Sequence, residues 1–287
     1  MNDIDSSQDR LQHRIAAELG VAGRFDAQAE IEQRVAFLAD YLTRTGLKGY
    51  VLGISGGVDS LLAGHLAQSA VERVRGQGGN ALFHAMRLPY GVQHDEQAAQ
   101  QSLASIAPDR ILTVDIKPAC DALLAALRED VQFRDAAHED FVMGNIKARQ
   151  RMIAQYAVAG AGDCLVVGTD QAAEALMGFF TKYGDGAADV VPLAGLTKRR
   201  VRVLAKALGA PDELVMKVPT ADLETLKPMR PDEDAFGVSY QQIDDYLEGK
   251  PIPEAAALII ERQWSATHHK RALPQGPEPL PLSASAR

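Results

Sequence analysis

The stretch 49–60, Gly-Tyr-Val-Leu-Gly-Ile-Ser-Gly-Gly-Val-Asp-Ser, constrains this chain more than any other. Residues 50–54 are an apolar run long enough for a buried strand. Ser55, Gly56 and Gly57 break it. From Asp59 onward Leu61, Leu62, His65, Leu66 and Ala70 recur at helical spacing, with polar residues between them. A strand, a glycine loop and a helix in that order point backbone N–H groups at whatever sits above the helix start, and the helix dipole adds positive potential there. Glycines allow close approach because no Cβ intervenes. A phosphate or pyrophosphate is the natural guest. The competing reading is a tight turn in an ordinary α/β protein, with Asp59 and Ser60 as helix caps.

The loop is not the common phosphate loop. The chain has no Gly-x4-Gly-Lys-Ser/Thr, and no Gly-x-Gly-x-x-Gly follows a predicted strand. Ser-Gly-Gly-Val-Asp-Ser instead resembles the pyrophosphate loop of the ATP pyrophosphatase group. The resemblance implies cleavage of ATP between the α and β phosphates and adenylation of a substrate. That group includes synthetases for GMP, argininosuccinate, asparagine and NAD.

With 287 residues, 46% hydrophobic and 24% charged, the chain has material for a large core. A net charge of −8 argues against general binding to nucleic acid or anionic membranes. The two cysteines, Cys120 and Cys164, lack metal-ligand spacing and read as buried thiols in a reducing compartment. No apolar run approaches a membrane span. The N-terminus is polar and acidic, unlike a signal peptide, so the expectation is a cytoplasmic protein with no nucleic-acid or membrane partner.

Residues 1–9 are polar and expected to be mobile. Asp26 is placed to cap a helix to about residue 45, with Ile31, Val35, Leu38 and Leu42 as its apolar stripe. Further strands are predicted at 81–86, 110–116 and 164–168, and a short fifth at 190–191. Helices are predicted at 95–107, 118–127, 141–159, from about 171, at 197–208, and near 240–247 and 253–266. Residues 216–236 show little periodicity; a loop of that length in a compact protein suggests a lid or a disordered segment. Residues 274–287 hold four prolines and read as a flexible tail. Alternating strands and helices predict a doubly wound parallel sheet of about five strands, flanked by helices. Ligands bind such folds beyond the C-terminal strand ends, where the loops at Ser55, Arg87 and Thr169 should converge. The organisation expected is one domain over 1–273.

Further strings narrow the field: Leu-Pro-Tyr-Gly-Val-Gln at 88–93, Gly-Asn-Ile-Lys-Ala-Arg-Gln-Arg-Met at 144–152, Gly-Thr-Asp-Gln-Ala-Ala-Glu at 168–174 and Gly-Phe-Phe-Thr-Lys-Tyr-Gly-Asp-Gly at 178–186. Pro-Thr-Ala-Asp-Leu at 219–223, Asp-Asp-Tyr-Leu-Glu-Gly at 244–249 and His-Lys-Arg at 269–271 follow. Together with the glycine loop they resemble the ammonia-dependent NAD synthetases, from about residue 28 to 271. The resemblance implies an adenine nucleotide alpha hydrolase-like fold and a homodimer sharing its deamido-NAD site between subunits. It implies a ligase that makes NAD from deamido-NAD, ammonia and MgATP, releasing AMP and pyrophosphate. Val58 stands where many members have Gln, Gln171 where a His is common, and His268 where a Glu often precedes the His-Lys pair.

The same resemblance assigns residues. Gly53, Ile54, Ser55, Gly56, Gly57, Val58, Asp59 and Ser60 would form the ATP loop, joined by Arg87, Thr169, Lys198 and Thr220. Asp59 and Glu174 would hold Mg²⁺; each follows a predicted strand end, and a hard cation takes carboxylate and phosphate oxygens. Asp59, Glu174 and Lys198 would carry the chemistry. Arg149, Lys182, Asp189, His269 and Lys270 would bind deamido-NAD. Read without the resemblance, Asp59 is a helix cap, Glu174 and Arg149 are solvated helix charge, and His269 is a C-terminal helix cation. The run Lys198, Arg199, Arg200, Arg202 reads mostly as a basic surface. Neither cysteine sits at a nucleophile turn, so free ammonia rather than glutamine is the expected nitrogen source. Two other readings stay open here: another adenylating amidotransferase of the group, such as a GMP synthetase, and a non-catalytic adenine-nucleotide sensor.

Overall fold

The apolar run that begins at Gly49 becomes an interior strand of a parallel sheet. The computed structural model describes residues 2–92, 95–221, 223–226 and 228–277. Residues 278–287 of the expected tail, and Gln93 and Asp222 of the quoted strings, lie outside the described residues. Helices α1 (Asn2–Glu18) and α2 (Ala27–Thr45) come first. Strands and helices then alternate as β1 (Gly49–Gly53), α3 (Val58–Gly76), β2 (Leu82–Arg87), α4 (Glu96–Ile106), β3 (Arg110–Thr113), α5 (Lys117–Asp130), α6 (Ala136–Gly162) and β4 (Leu165–Val166). After them come α7 (Ala172–Met177), α8 (Lys198–Ala207), α9 (Asp212–Val215), the ribbon strands β5 (Thr220–Ala221) and β6 (Arg230–Pro231), α10 (Asp232–Phe236), α11 (Tyr240–Leu247), α12 (Glu254–Ala266) and α13 (His268–Arg271).

The main sheet has four strands in the order β3-β2-β1-β4, all parallel. The expected fifth strand is reduced to one isolated parallel bridge, Val167 to Val190. The reason is local. The Asp189 carboxylate takes the Val166 N–H at 2.7 Å, a donor a longer ladder would give to a carbonyl. Pro192, two residues past the bridge, has no N–H to continue it.

Both faces of the sheet are covered, as the apolar runs required. Tyr50, Leu52 and Ile54 join one core with α2, α3 and α8, whereas Val51 joins a second with α5 and α6. The Tyr50 hydroxyl donates to Leu38 O at 2.7 Å and ties β1 to α2. A third cluster lies beside the sheet and gathers Ile15, Leu176, Ile243, Tyr246 and Ile260 from α1, α7, α11 and α12. Helix α1 was not apparent from its polar sequence; Ile15, fully buried, anchors it there. Residues 216–236 hold an antiparallel ribbon, Thr220 against Pro231 and Ala221 against Arg230, followed by α10. Among the described residues no helix is long and apolar enough to cross a membrane.

Candidate active site

At the C-terminal end of β1 the chain turns sharply. Gly56 has φ +83°, and a Cβ there would stand 2.7 Å from Ala99 N, so the loop backs directly onto α4. The loop is knit by its own hydroxyls. Gly57 N donates to Ser55 Oγ at 3.2 Å, and Ser60 Oγ donates to Gly57 O at 3.0 Å. Gln155 of α6 accepts from Gly53 N at 2.8 Å, and Lys217 reaches Gly56 O at 3.3 Å. The turn thereby starts α3 with Asp59 in its first helical turn.

The loop after β4 carries Thr169 and Asp170 and enters α7, which places Glu174 in its first turn. Gln171 caps that helix, its Oε1 accepting from Ala173 N at 2.7 Å. This gives one of the departures from the usual pattern a local role. Helix α8 begins under a Thr197 cap, and its first residue, Lys198, points inward. Asp244 of α11 holds that helix start, accepting from Lys198 N at 3.0 Å and Arg199 N at 2.7 Å.

These three helix starts meet at one point. Lys198, 2% exposed, places Nζ 2.5 Å from Asp59 Oδ2 and 3.7 Å from Glu174 Oε1. Burial opposes the lysine charge, but Asp59 and Glu174 outweigh it and raise its pKa. Glu174 is pushed well above the usual carboxylate range, chiefly by burial and then by Asp59. Asp59 Oδ1 is buried without a hydrogen-bond partner. Two crowded carboxylates, one with an unsatisfied oxygen, suit a hard divalent cation that completes its shell with phosphate oxygens. Among the described residues no three His, Cys, Asp or Glu side chains are grouped to hold a metal unaided. Arg199 turns away to Asp245 and Glu248, and Arg200 lies over Phe25, so of the basic run Lys198 alone lines the site.

A cavity of about 470 Å³ opens here. Of the residues singled out in the sequence, Gly53, Ile54, Ser55, Gly57, Val58, Asp59, Ser60, Thr169, Glu174, Lys198, Thr220 and Lys270 line it. Gly56, turned against α4, is not part of the lining. Arg87 is buried at the end of β2 but its guanidinium binds Glu96 of α4, and it is not part of the lining. Position at a strand end fixed its height in the fold but not its direction. Arg149, Lys182, Asp189 and His269 are also outside the lining. Three of them make a chain at the rim: Arg149 Nη2 donates to Lys182 O at 3.2 Å, and Lys182 Nζ to His269 O at 2.5 Å. Lys270 next to it donates to Gly178 O and Phe180 O, both at 2.9 Å. Gly178 allows this docking, since a Cβ there would meet Thr267 at 2.3 Å. Asp189 instead serves the edge of β4.

Sequence reasoning missed Lys217 and Asp232 of the lining, and Tyr240 beside them. Asp232 lines the cavity, and its carboxylate accepts from the Tyr240 hydroxyl at 2.9 Å. Burial and the carboxylates of Glu174, Asp232 and Asp59 push that hydroxyl up, so it stays a donor. Nothing in the spacing of 216–240 marks the pair; only the ribbon's fold brings it to Lys198.

A parallel sheet that delivers a glycine loop, a buried lysine and paired carboxylates to its C-terminal edge defines a nucleotide-dependent enzyme of the ATP pyrophosphatase type. The NAD synthase family model matches residues 30–274, and the chain belongs to that family of C–N-bond-forming ligases. It is 67% identical over 268 residues to the NH(3)-dependent NAD(+) synthetase of Streptomyces coelicolor, across 93% of this chain and 97% of that one. It is 64% identical over 261 residues to the protein of the same name from Burkholderia mallei, across 91% and 92%. Among solved structures, NAD+ synthetase from Burkholderia pseudomallei matches with TM-score 0.81 and 59% identity over 93% of this chain and 98% of that chain. NMN synthetase from Francisella tularensis matches with TM-score 0.78 and 35% identity over 89% and 100%.

Proposed function

We propose that this chain makes NAD by adenylating the carboxylate of deamido-NAD with ATP and then amidating it with free ammonia. The observation that carries the reading is the Lys198 ammonium between Asp59 and Glu174, beside the glycine loop. A carboxylate resists ammonia because oxide would have to leave. Attack of the deamido-NAD carboxylate on the α-phosphorus releases pyrophosphate and leaves an acyl adenylate, whose leaving group is AMP. The N–H and hydroxyl groups of the loop at Ser55, Gly57 and Ser60 would hold the phosphates, with Thr169 and Thr220 also in the cavity lining. Lys198 neutralises charge that builds on the departing pyrophosphate. Asp59 and Glu174 would hold Mg²⁺, which neutralises phosphate charge when bound. Lys270, together with the rim chain Arg149–Lys182–His269, suits the anionic dinucleotide.

Free ammonia is favoured because both cysteines are poor nucleophiles. Cys120 and Cys164 are buried, and burial pushes each thiol up, away from thiolate. Two free thiols suit a cytoplasmic enzyme. In the same reading the chain is a homodimer, as its resemblance to the ammonia-dependent NAD synthetases implies. Sedimentation at micromolar concentration should give twice the chain mass.

The test is product analysis. Purified chain, MgATP, deamido-NAD and ammonium should yield AMP and NAD in equal amounts, and ammonium-free glutamine should yield neither. Nicotinate mononucleotide in place of deamido-NAD should turn over poorly. Absence of AMP under all conditions refutes the reading, and preference for the mononucleotide redirects it to an activity like that of the Francisella tularensis NMN synthetase.

A further inference from the structure

Lys198 is fully buried, yet only part of its surroundings has a role in the reaction described. Its ammonium also lies 4.9 Å from the centre of the Tyr240 ring. That ring is clamped. It meets Phe236 edge to face at 5.5 Å, and Phe236 meets Phe179 of the cavity wall at 4.7 Å. The Tyr240 hydroxyl donates to Asp232 Oδ2 at 2.9 Å, and the Tyr240 backbone N–H donates to Glu233 Oε1 at 2.7 Å. Asp232 is joined in turn to the ribbon that carries Thr220. Asp232 N donates to Pro219 O at 3.1 Å, and Pro231 is paired with Thr220. Asp232 itself is 6% exposed, lines the cavity, and keeps Oδ1 buried without a hydrogen-bond partner.

A flexible lysine between two carboxylates has many rotamers, and carboxylates alone do not choose among them. An aromatic face does, because it attracts the cation along one direction and removes competing water. Asp232 bears the cost of one unpartnered buried oxygen while its other oxygen accepts from the Tyr240 hydroxyl. We propose that Tyr240 and Asp232 are positioning residues for Lys198. The Tyr240 ring fixes the ammonium between Asp59 and Glu174, and Asp232 ties that ring to the ribbon bearing Thr220. Nucleotide held under the ribbon thereby also holds the lysine in register. Neither residue exchanges a proton with substrate. The inference takes from the adenylation reading only the reason that Lys198 matters; where its ammonium is held does not depend on it.

The test uses the full chain with Tyr240→Leu, Tyr240→Phe, Asp232→Ala and Asp232→Asn, and two readouts. The first is AMP formation from deamido-NAD, ammonium and MgATP. Tyr240→Leu should lower kcat about tenfold to thirtyfold, the size of a desolvated cation–π contact, with KM for deamido-NAD within about twofold. Tyr240→Phe keeps the ring and should lose less. Asp232→Asn keeps an acceptor and should restore most of what Asp232→Ala loses. The second readout needs no turnover: reductive methylation with isotope-labelled formaldehyde, followed by mass spectrometry. Lys198 should label several-fold faster in Tyr240→Leu, on the order of the freed ammonium population, while exposed Lys206 stays unchanged. Wild-type labelling of Lys198 in Tyr240→Leu overturns the proposal, as does a loss confined to melting temperature with kcat retained. Should wild type form no AMP, the adenylation reading fails while the labelling still decides the lysine's position. If Tyr240→Leu does not melt cooperatively, the near-isosteric Tyr240→Phe and Asp232→Asn carry both readouts.

Discussion

Lys198 Nζ and Asp59 Oδ2 stand 2.5 Å apart although 139 residues separate them in sequence. Each comes from the first turn of its helix, so two helix starts and one buried ion pair define the floor of the cavity. Glu174, 3.7 Å from the same ammonium, sets a second carboxylate against that one cation, and burial with Asp59 raises the cost of ionising it. Two carboxylates around one ammonium suit a further cation, which would bring phosphate oxygens with it.

Lys198→Met should therefore be costly in two ways. Removing one partner of a buried pair leaves uncompensated charge and costs about 3–5 kcal/mol. Turnover should fall by at least about a hundredfold, because charge on the departing pyrophosphate loses its neutralising group. Mg²⁺ at millimolar level should raise the variant's Tm more than the wild type's, since the metal then replaces the missing charge. A variant that melts and turns over like wild type removes the pair from the mechanism.

Asp59→Asn and Glu174→Gln test the cation site directly. Each keeps side-chain shape and removes one carboxylate charge. Each should weaken Mg²⁺-dependent thermal stabilisation and cut turnover by about two orders of magnitude or more. Near-normal turnover of both at limiting Mg²⁺ would falsify the metal assignment.

Gly56 and Gly57 look alike in sequence but differ in the fold. Gly56 has φ +83° and its added Cβ would press on the α4 backbone at 2.7 Å. Gly57 is extended, with φ −86°, and a Cβ there would meet only Ser55 Oγ at 3.4 Å. Gly56→Ala should lose about 1–3 kcal/mol and weaken ATP binding, through left-handed strain and displacement of α4. Gly57→Ala should leave the melting temperature within about two degrees of wild type. Equal melts for the two variants would contradict the loop geometry.

What the sequence made legible follows from period and motif. The runs at 50–54 and 81–86 announce buried strands, which the fold places at Gly49–Gly53 and Leu82–Arg87, and the loop at 55–60 announces its own shape because only glycine tolerates the turn at Gly56. Asp59, Glu174 and Lys198 stand out in the sequence, and the fold brings them together. Residues whose role depends on where a long side chain turns were not legible. Arg87 is claimed by Glu96, and Asp189 by the N–H of Val166. Tyr240 and Asp232 were missed because their partnership is made by a ribbon of two-residue strands, too short to leave a periodic signal. Helix α1 was missed because one buried face, anchored by Ile15, carries it within a polar sequence.

Asp170 gives a prediction in pH. It follows β4, its Oδ1 is buried without a partner, and burial, helped by the charges of Asp185 and Asp59, pushes its carboxyl up to about 7. The unfolded chain ionises near the ordinary carboxylate value, about 4. Between those values the folded state binds the extra proton, so the stability held below about pH 4 is lost as pH rises through about 7. Asp170→Asn removes the ionisable group and keeps its shape. Wild type and variant should melt together at pH 4. At pH 8 the variant should be more stable, by at most about 4 kcal/mol, because each tenfold difference in proton affinity between folded and unfolded chain is worth about 1.36 kcal/mol. At about 2–4 °C per kcal/mol for a chain of this size, that is a rise of at most about 8–16 °C. Calorimetric melts from pH 4 to 8 check it. A variant that is no more stable at pH 8, or a gap that does not open with pH, would show that Asp170 ionises in the fold as it does in water.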